Sequence, residues 1–281
     1  MPELPEVETV CRVMRRALVG KRIARVEVVP DRLVFSGHTP GAVERALEGR
    51  VVDTVGRHGK FFWIALIGDG PTVYGHLGMS GWIREVGREG TRLQGHGDAP
   101  FDDAAGRPRF LRLRLETDDG RAVAFTDARR LGRIWLGDAF DRERRITRLG
   151  PDAFDALPSS NELRAILGRR KRPIKAVLLD QGVLAGIGNW IADEVLYQAG
   201  IAPKRSAASL SRAEVSALRR TIQRVLARAV RVDADHRRFP KTWLFEHRWG
   251  GERGSARIDG RRIVRTVVGG RTTAWVPERQ R

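Results

Sequence analysis

Cysteine is almost missing from this chain: Cys11 is the only one in 281 residues. An internal disulfide is therefore excluded, and so is any zinc site built from cysteines alone. Lysine is scarce as well, six residues against 46 arginines, and only Lys21 and Lys60 fall in the first 160 positions. No apolar run approaches the roughly 18 residues that a membrane helix needs. The opening Met1-Pro2-Glu3-Leu4-Pro5-Glu6 is acidic and broken by proline, the opposite of a secretory leader. These absences predict an intracellular, soluble chain with no membrane partner: cytoplasmic and nucleoid-associated in a bacterium, nuclear in a eukaryote.

What is present in excess is positive charge. Lys and Arg number 52 against 34 Asp and Glu, a net +18. The excess is uneven, with 26 cations and 11 anions in residues 161–281, so that the first 160 residues carry only +3. A basic half of this kind is the electrostatic footprint of a polyanion, most often nucleic acid. A coding bias toward arginine would explain Arg over Lys, but not an excess gathered in one half. The hydrophobic fraction of 41% is ordinary, and 281 residues suffice for two cores.

The periodicity changes along the chain. Residues 5–18 read as a helix, with Glu6 and Glu8 in the first turn and Val7, Val10, Cys11, Met14 and Leu18 on one face. From Lys21 to Leu136 the pattern becomes short alternating runs: 22–29, 51–58, 60–66, 72–76, 81–85, 110–116, 122–126 and 133–136. Turn signals such as Asp118-Asp119-Gly120 divide them, as in an antiparallel sandwich. Residues 87–108 are polar and Gly-rich and predict a mobile loop. After Gly150-Pro151 the period is helical, over 160–167, 174–180, 190–199 and 211–230, the last opened by a Ser211/Glu214 capping box. Beyond His236 short strands return around Gly250-Gly251, Asp259-Gly260 and Gly269-Gly270. Twelve cations against four anions stand among Trp243, Trp249 and Trp275 there.

The start of the chain could carry chemistry. With Met1 removed, Pro2 presents a secondary amine, and an α-amino group titrates near pH 7.7–8.0, so a useful fraction is an unprotonated nucleophile. Glu3 beside it could protonate a departing oxygen. On its own the segment equally describes a common second residue and an acidic helix start.

Further motifs stand with it: PELPEVETV (2–10), HGK ending at Lys60, HLGMSG (76–81), DARRLGR (127–133), LDQGVLAGIGNWIADEVLYQAGI (179–201) and GGRTTAWVPE (269–278). In this order and spacing they resemble the formamidopyrimidine-DNA glycosylases, in the larger group that includes endonuclease VIII, over nearly the full length. The resemblance implies Pro2 as Schiff-base nucleophile, Glu3 as its acid partner, and Lys60 as a phosphate contact at the catalytic centre. Lys60 is otherwise an ordinary strand-end cation. It implies that Asn189 and Arg271 hold DNA phosphates, Asn189 where a glycine-rich turn enters a helix and Arg271 through a bidentate contact in the last hairpin. Met79, Arg129 and Leu131 would fill the hole left by an extruded base, although Met79 also reads as a strand-end core residue and Arg129 as plain surface charge. Residues 231–241 would cover the flipped base.

Two departures stand out. Common bacterial members have Phe where Leu131 stands here, which puts opposite-base discrimination in doubt. Most also end in a four-cysteine zinc finger, which this chain cannot build; His236 and His247 alone do not replace it. The tail is similar to the zincless finger of plant and fungal relatives, a hairpin packed through Trp243, Val267 and Trp275. The expectation is therefore an α+β multidomain fold. It comprises a catalytic antiparallel β-sandwich with an N-terminal helix (1–150), a helix-two-turn-helix DNA-binding domain (151–235) and a zincless β-hairpin finger (236–281). The implied protein is a monomer without cofactor or metal, with damaged double-stranded DNA in a basic cleft between the domains. It would excise oxidised bases and nick the strand by β,δ-elimination. The rivals are an endonuclease VIII-like preference for oxidised pyrimidines and a non-catalytic DNA-binding protein.

Overall fold

The computed structural model describes residues 2–88, 102–248 and 256–281. They form two compact units, one of residues 1–148 with the short segment Asp233–Asp235, the other of 149–232 and 236–281.

The first unit opens with α1 (Leu4–Leu18), whose first turn carries Pro5 and Glu6 and whose last carries Arg15 and Arg16. Proline costs nothing where no intrahelical N–H bond exists, and these charges oppose the helix dipole at both ends. β1 (Ile23–Val28) leads to α2 (Pro40–Leu47). The alternating runs then form β2 (Val52–His58), β3 (Phe61–Leu66), β4 (Thr72–His76), β5 (Gly81–Glu85), β6 (Leu111–Thr117), β7 (Ala122–Asp127) and β8 (Arg133–Gly137), followed by a single turn, α3 (Arg144–Thr147). Two four-stranded sheets result, β1-β6-β7-β5 and β2-β3-β4-β8, with every neighbouring pair antiparallel. Phe62, Ile64 and Val73 of one sheet join Leu113, Leu115 and Phe125 of the other in one core, which Val10, Cys11 and Met14 of α1 also enter. That packing fixes the helix and, with it, the start of the chain.

The helix α2 is a correction to an all-strand reading of 21–136. Its signal is local: Thr39 accepts the Ala42 N–H at 3.3 Å and Pro40 opens the helix. Of the expected loop 87–108, positions 89–101 lie outside the described residues. The rest is partly ordered by the ion pair between Arg84 and Asp102 and a bridge from Asp102 to Pro108.

The second unit contains α4 (Ser160–Gly168), α5 (Ile174–Leu178), α6 (Asn189–Ala199) and α7 (Arg212–Arg231). Capping boxes Ser159/Glu162 and Ser211/Glu214 start α4 and α7, and Gly200, at φ 71°, ends α6. The tail holds a helical turn, α8 (Leu244–His247), then β9 (Arg257–Ile258), β10 (Arg261–Arg262), β11 (Val264–Val268) and β12 (Arg271–Trp275). It thus forms two separate antiparallel ladders, β9/β10 and β11/β12, where one hairpin was expected. Leu244, Ile258, Ile263, Ala274 and Val276 pack with Tyr197 of α6. Trp243 is buried, but Val267 is 67% exposed and does not belong to the core, because it faces outward on a ladder that covers one side only. Trp249 and the Gly250-Gly251 turn lie outside the described residues.

Candidate active site and nucleic-acid grip

In the first unit Pro2 and Glu3 are buried at the head of α1, Glu3 occupying its N-cap. Glu6, one turn on, accepts the Glu3 N–H at 3.1 Å. Burial, and then the neighbouring Glu3, push the Glu6 carboxyl up to about 7, so it shares its proton near neutrality.

Lys60 follows Gly59 in the β2–β3 turn and is largely buried. The turn is tied to α1 by charge: Glu8 takes Arg57 Nε at 3.1 Å, and Arg57 donates onward to the Gly59 carbonyl at 3.2 Å. His76, opposite Phe61 in the ladder, accepts the Gly78 N–H on Nδ1 at 3.0 Å, which leaves the proton of the neutral ring on Nε2. Desolvation first, then the Lys60 and Arg133 charges, depress His76 to about 4. It is therefore a neutral donor at pH 7, close to Lys60. It opens the HLGMSG motif, where nothing local in the sequence marks it as functional.

Met79, Arg129 and Leu131 come together. Met79 and Leu131 are each 41% exposed, large apolar side chains on loops. Arg129 donates to the Met79 carbonyl at 3.0 Å. Gly78, at φ 62°, lies so close to the Leu131 carbonyl that a Cβ there would approach it to 2.3 Å. Asp127 organises the loop, accepting from Ser80 Oγ at 2.5 Å, Arg129 N at 3.2 Å and Gly132 N at 2.6 Å. Arg130 takes the left-handed backbone, φ 58°, rarely used by an arginine. Its guanidinium grips buried Asp31 at 2.6 and 3.2 Å, and that contact holds the Asp31 carboxyl down at about 2. An apolar pair with an arginine between them is thus displayed on a braced surface.

The segment Asp233–Asp235 packs with this unit: Arg12 of α1 meets Asp233 at 2.8 Å, and Ala234 lies against Trp82. Asp233 and Ala234 both have positive φ, 53° and 54°.

Asn189 and Arg271 lie in the second unit. Gln181 braces the turn before α6, donating to the Leu179 and Ile187 carbonyls at 2.8 and 2.9 Å and accepting from Gly186 N at 3.0 Å. Asn189, the first residue of α6, donates through Nδ2 to the Thr272 carbonyl at 3.0 Å. Arg271 is the neighbour of Thr272, exposed at the start of β12 after Gly269-Gly270, whose φ values of 60° and 72° suit a tight hairpin turn. The two residues are therefore joined through Thr272, beside the positive end of a helix dipole. That arrangement suits an anion.

A four-cysteine metal site does not fit the tail. The sole cysteine is in α1, and among the described residues no group of three or more His, Cys, Asp or Glu could hold a metal ion. No helix among them is long and apolar enough to cross a membrane.

Residues 1–134 match the family described as formamidopyrimidine-DNA glycosylase N-terminal domain, and 149–241 match the formamidopyrimidine-DNA glycosylase H2TH domain. A formamidopyrimidine-DNA glycosylase of Arabidopsis thaliana is 39% identical over all of this chain and 71% of its own length. One of Rhodospirillum rubrum is 37% identical over the full length of both. Among solved structures, the MutM (Fpg) protein of Thermus thermophilus superposes with a TM-score of 0.74 at 32% identity, over 99% of this chain and 98% of that one. Lactococcus lactis Fpg in complex with DNA containing FAPY-dG shares the fold, with a TM-score of 0.78 at 24% identity over 99% and 100% of the two chains.

Proposed function

Since this chain belongs to the formamidopyrimidine-DNA glycosylase family, we propose that it is a bifunctional DNA glycosylase and abasic-site lyase for oxidised bases in damaged duplex DNA. The observation that carries the reading is the set of residues tied to α1. Pro2 and Glu3 stand at its head, and Glu8 on the same helix anchors the turn that bears Lys60.

With Met1 removed, the Pro2 amine attacks C1′, and the damaged base leaves with the glycosidic bond's electron pair and takes up the proton that the Pro2 nitrogen gives up. Glu3 protonates the ring oxygen as the sugar opens, and the amine becomes an iminium. The iminium acidifies C2′–H; loss of that proton expels the 3′ phosphate, and a second elimination expels the 5′ phosphate. Lys60 neutralises a phosphate beside the lesion, and His76 offers a neutral N–H in the same neighbourhood. Met79, Arg129 and Leu131 fill the space of the extruded nucleotide, since unstacking costs a few kcal/mol that an apolar wedge and a hydrogen-bonding arginine help offset. Asn189 and Arg271 grip phosphate, and residues 231–241 cover the flipped base. The protein acts as a monomer without metal, wherever the cell keeps its DNA.

Ring-opened purines are the substrates this reading favours, with hydantoins next. Base release from duplexes carrying one defined lesion tests it. The highest kcat/KM should fall on a formamidopyrimidine. A higher value on an oxidised pyrimidine would favour an endonuclease VIII-like enzyme, and binding without release a DNA-binding protein.

A further inference from the structure

Three charged side chains lie almost wholly buried in the second unit, outside the machinery assigned above. Asp193 meets Lys175 Nζ at 2.6 Å and Arg248 at 2.7 Å, with side-chain exposures of 1%, 0% and 5%. Burying charge is expensive, and packed apolar residues commonly serve stability as well or better. A cluster of two cations around one carboxylate therefore needs a reason beyond filling space.

The geometry supplies one. β12 pairs with β11 on one edge, and its other edge is met by α6. On that edge the Thr272 carbonyl accepts Asn189 Nδ2 at 3.0 Å and the Ala274 N–H donates to Asp193 at 3.0 Å. Asn189 and Asp193 are four residues apart, one turn along the same helix face. The strand edge is thus fastened at two points, and one alone would leave it free to pivot. Lys175 reinforces the join, donating to Thr273 Oγ1 at 2.7 Å and to the Thr272 carbonyl at 3.2 Å. Arg248, just beyond α8, carries the link to β11, because its own carbonyl accepts from Arg265 at 3.0 Å. Burial pushes the Asp193 carboxyl upward, against the pull of Arg248 and Lys175.

We propose that Asp193 is a positioning residue: closing the buried triad with Lys175 and Arg248, it locks β12 against α6 and so sets Arg271 beside Asn189. This rests on the reading of Asn189 and Arg271 as the phosphate grip.

The obvious variant, Asp193→Asn, leaves two buried cations without their counter-charge, a change that threatens the fold itself. Asp193→Leu with Arg248→Met removes one charge of each sign and keeps Lys175 on Thr272 and Thr273. Circular dichroism and thermal unfolding establish that this double variant folds. Its binding to a duplex carrying a stable abasic analogue should weaken about tenfold, with the salt slope of log K reduced by about 0.9, one phosphate contact. In that background Arg271→Ala should cost little more, because the grip is already lost. A folded double variant with unchanged affinity and slope would overturn the proposal, and so would a full Arg271→Ala penalty in that background. Should Arg271→Ala cost nothing in the otherwise native protein, the failure lies in the phosphate-grip reading itself, and the proposal falls with it.

Discussion

Glu6 and Glu3 are joined head to tail at the start of α1, the Glu6 carboxylate accepting the Glu3 N–H at 3.1 Å while both side chains are buried. Two carboxyl groups so placed cannot both ionise cheaply, and Glu6 carries the consequence, pushed up to about 7 by burial and by Glu3. The start of α1 is therefore a place where burial and ionisation compete.

The competition has a measurable sign. Below the ordinary glutamate pKa of 4.5, Glu6 is protonated whether the chain is folded or not. As pH rises to about 7 the unfolded chain releases the proton and the folded one keeps it, so stability falls across that window. Glu6→Gln has no proton to hold. Its stability relative to the native protein should rise between pH 5 and pH 8, by on the order of 3 kcal/mol at most. Thermal unfolding of both proteins at the two pH values checks this; an equal difference at both would show that Glu6 titrates normally.

If Arg271 grips phosphate, Arg271→Ala should weaken binding to lesion and abasic duplexes alike. The salt slope of log K should fall by about 0.9, the share of one B-DNA phosphate. Titrations at several salt concentrations read both quantities. A native slope with native affinity would place Arg271 on an uninvolved surface.

Much of the fold was legible because the residues that decide it are local. β6 alternates between buried and half-exposed positions along its whole length, and Ser211 with Glu214 announces α7. The helix α2 escaped that reading although Thr39-Pro40 signals it, because it sits among strands whose alternation dominates the stretch. The outward face of Val267 could not be read, since nothing local tells which side of a two-stranded ladder is covered. Nor could the ion triad: Lys175 stands in the run Arg169-Arg170-Lys171-Arg172, Pro173, Ile174, which looks like solvated charge. Asp193, which joins it to Arg248, lies 18 positions on, and Arg248 73. Likewise Arg130 reads as surface charge until Asp31, 99 positions distant, is found beneath it.

Leu131 is exposed, two residues from Arg129, whose guanidinium donates to the Met79 carbonyl. Leu131→Phe should sharpen dependence on the opposite base, because aromatic stacking on a base contributes roughly 1–3 kcal/mol. Single-turnover base release with each of the four opposite bases makes the comparison. Identical profiles for the two proteins would mean that position 131 never enters the hole.

If the chain attacks DNA through the amine of Pro2, covalent trapping will capture it there. An amine nucleophile gives an iminium, which borohydride reduces to a stable adduct. Lysines can do the same, so the position of the cross-link decides the matter. Peptide mapping of the trapped complex should place it on Pro2 with Met1 absent, and one extra residue ahead of Pro2 should abolish both trapping and base release. An adduct mapped to a lysine, or an extended protein that traps DNA and releases the base at the native rate, would rule out Pro2 as the nucleophile.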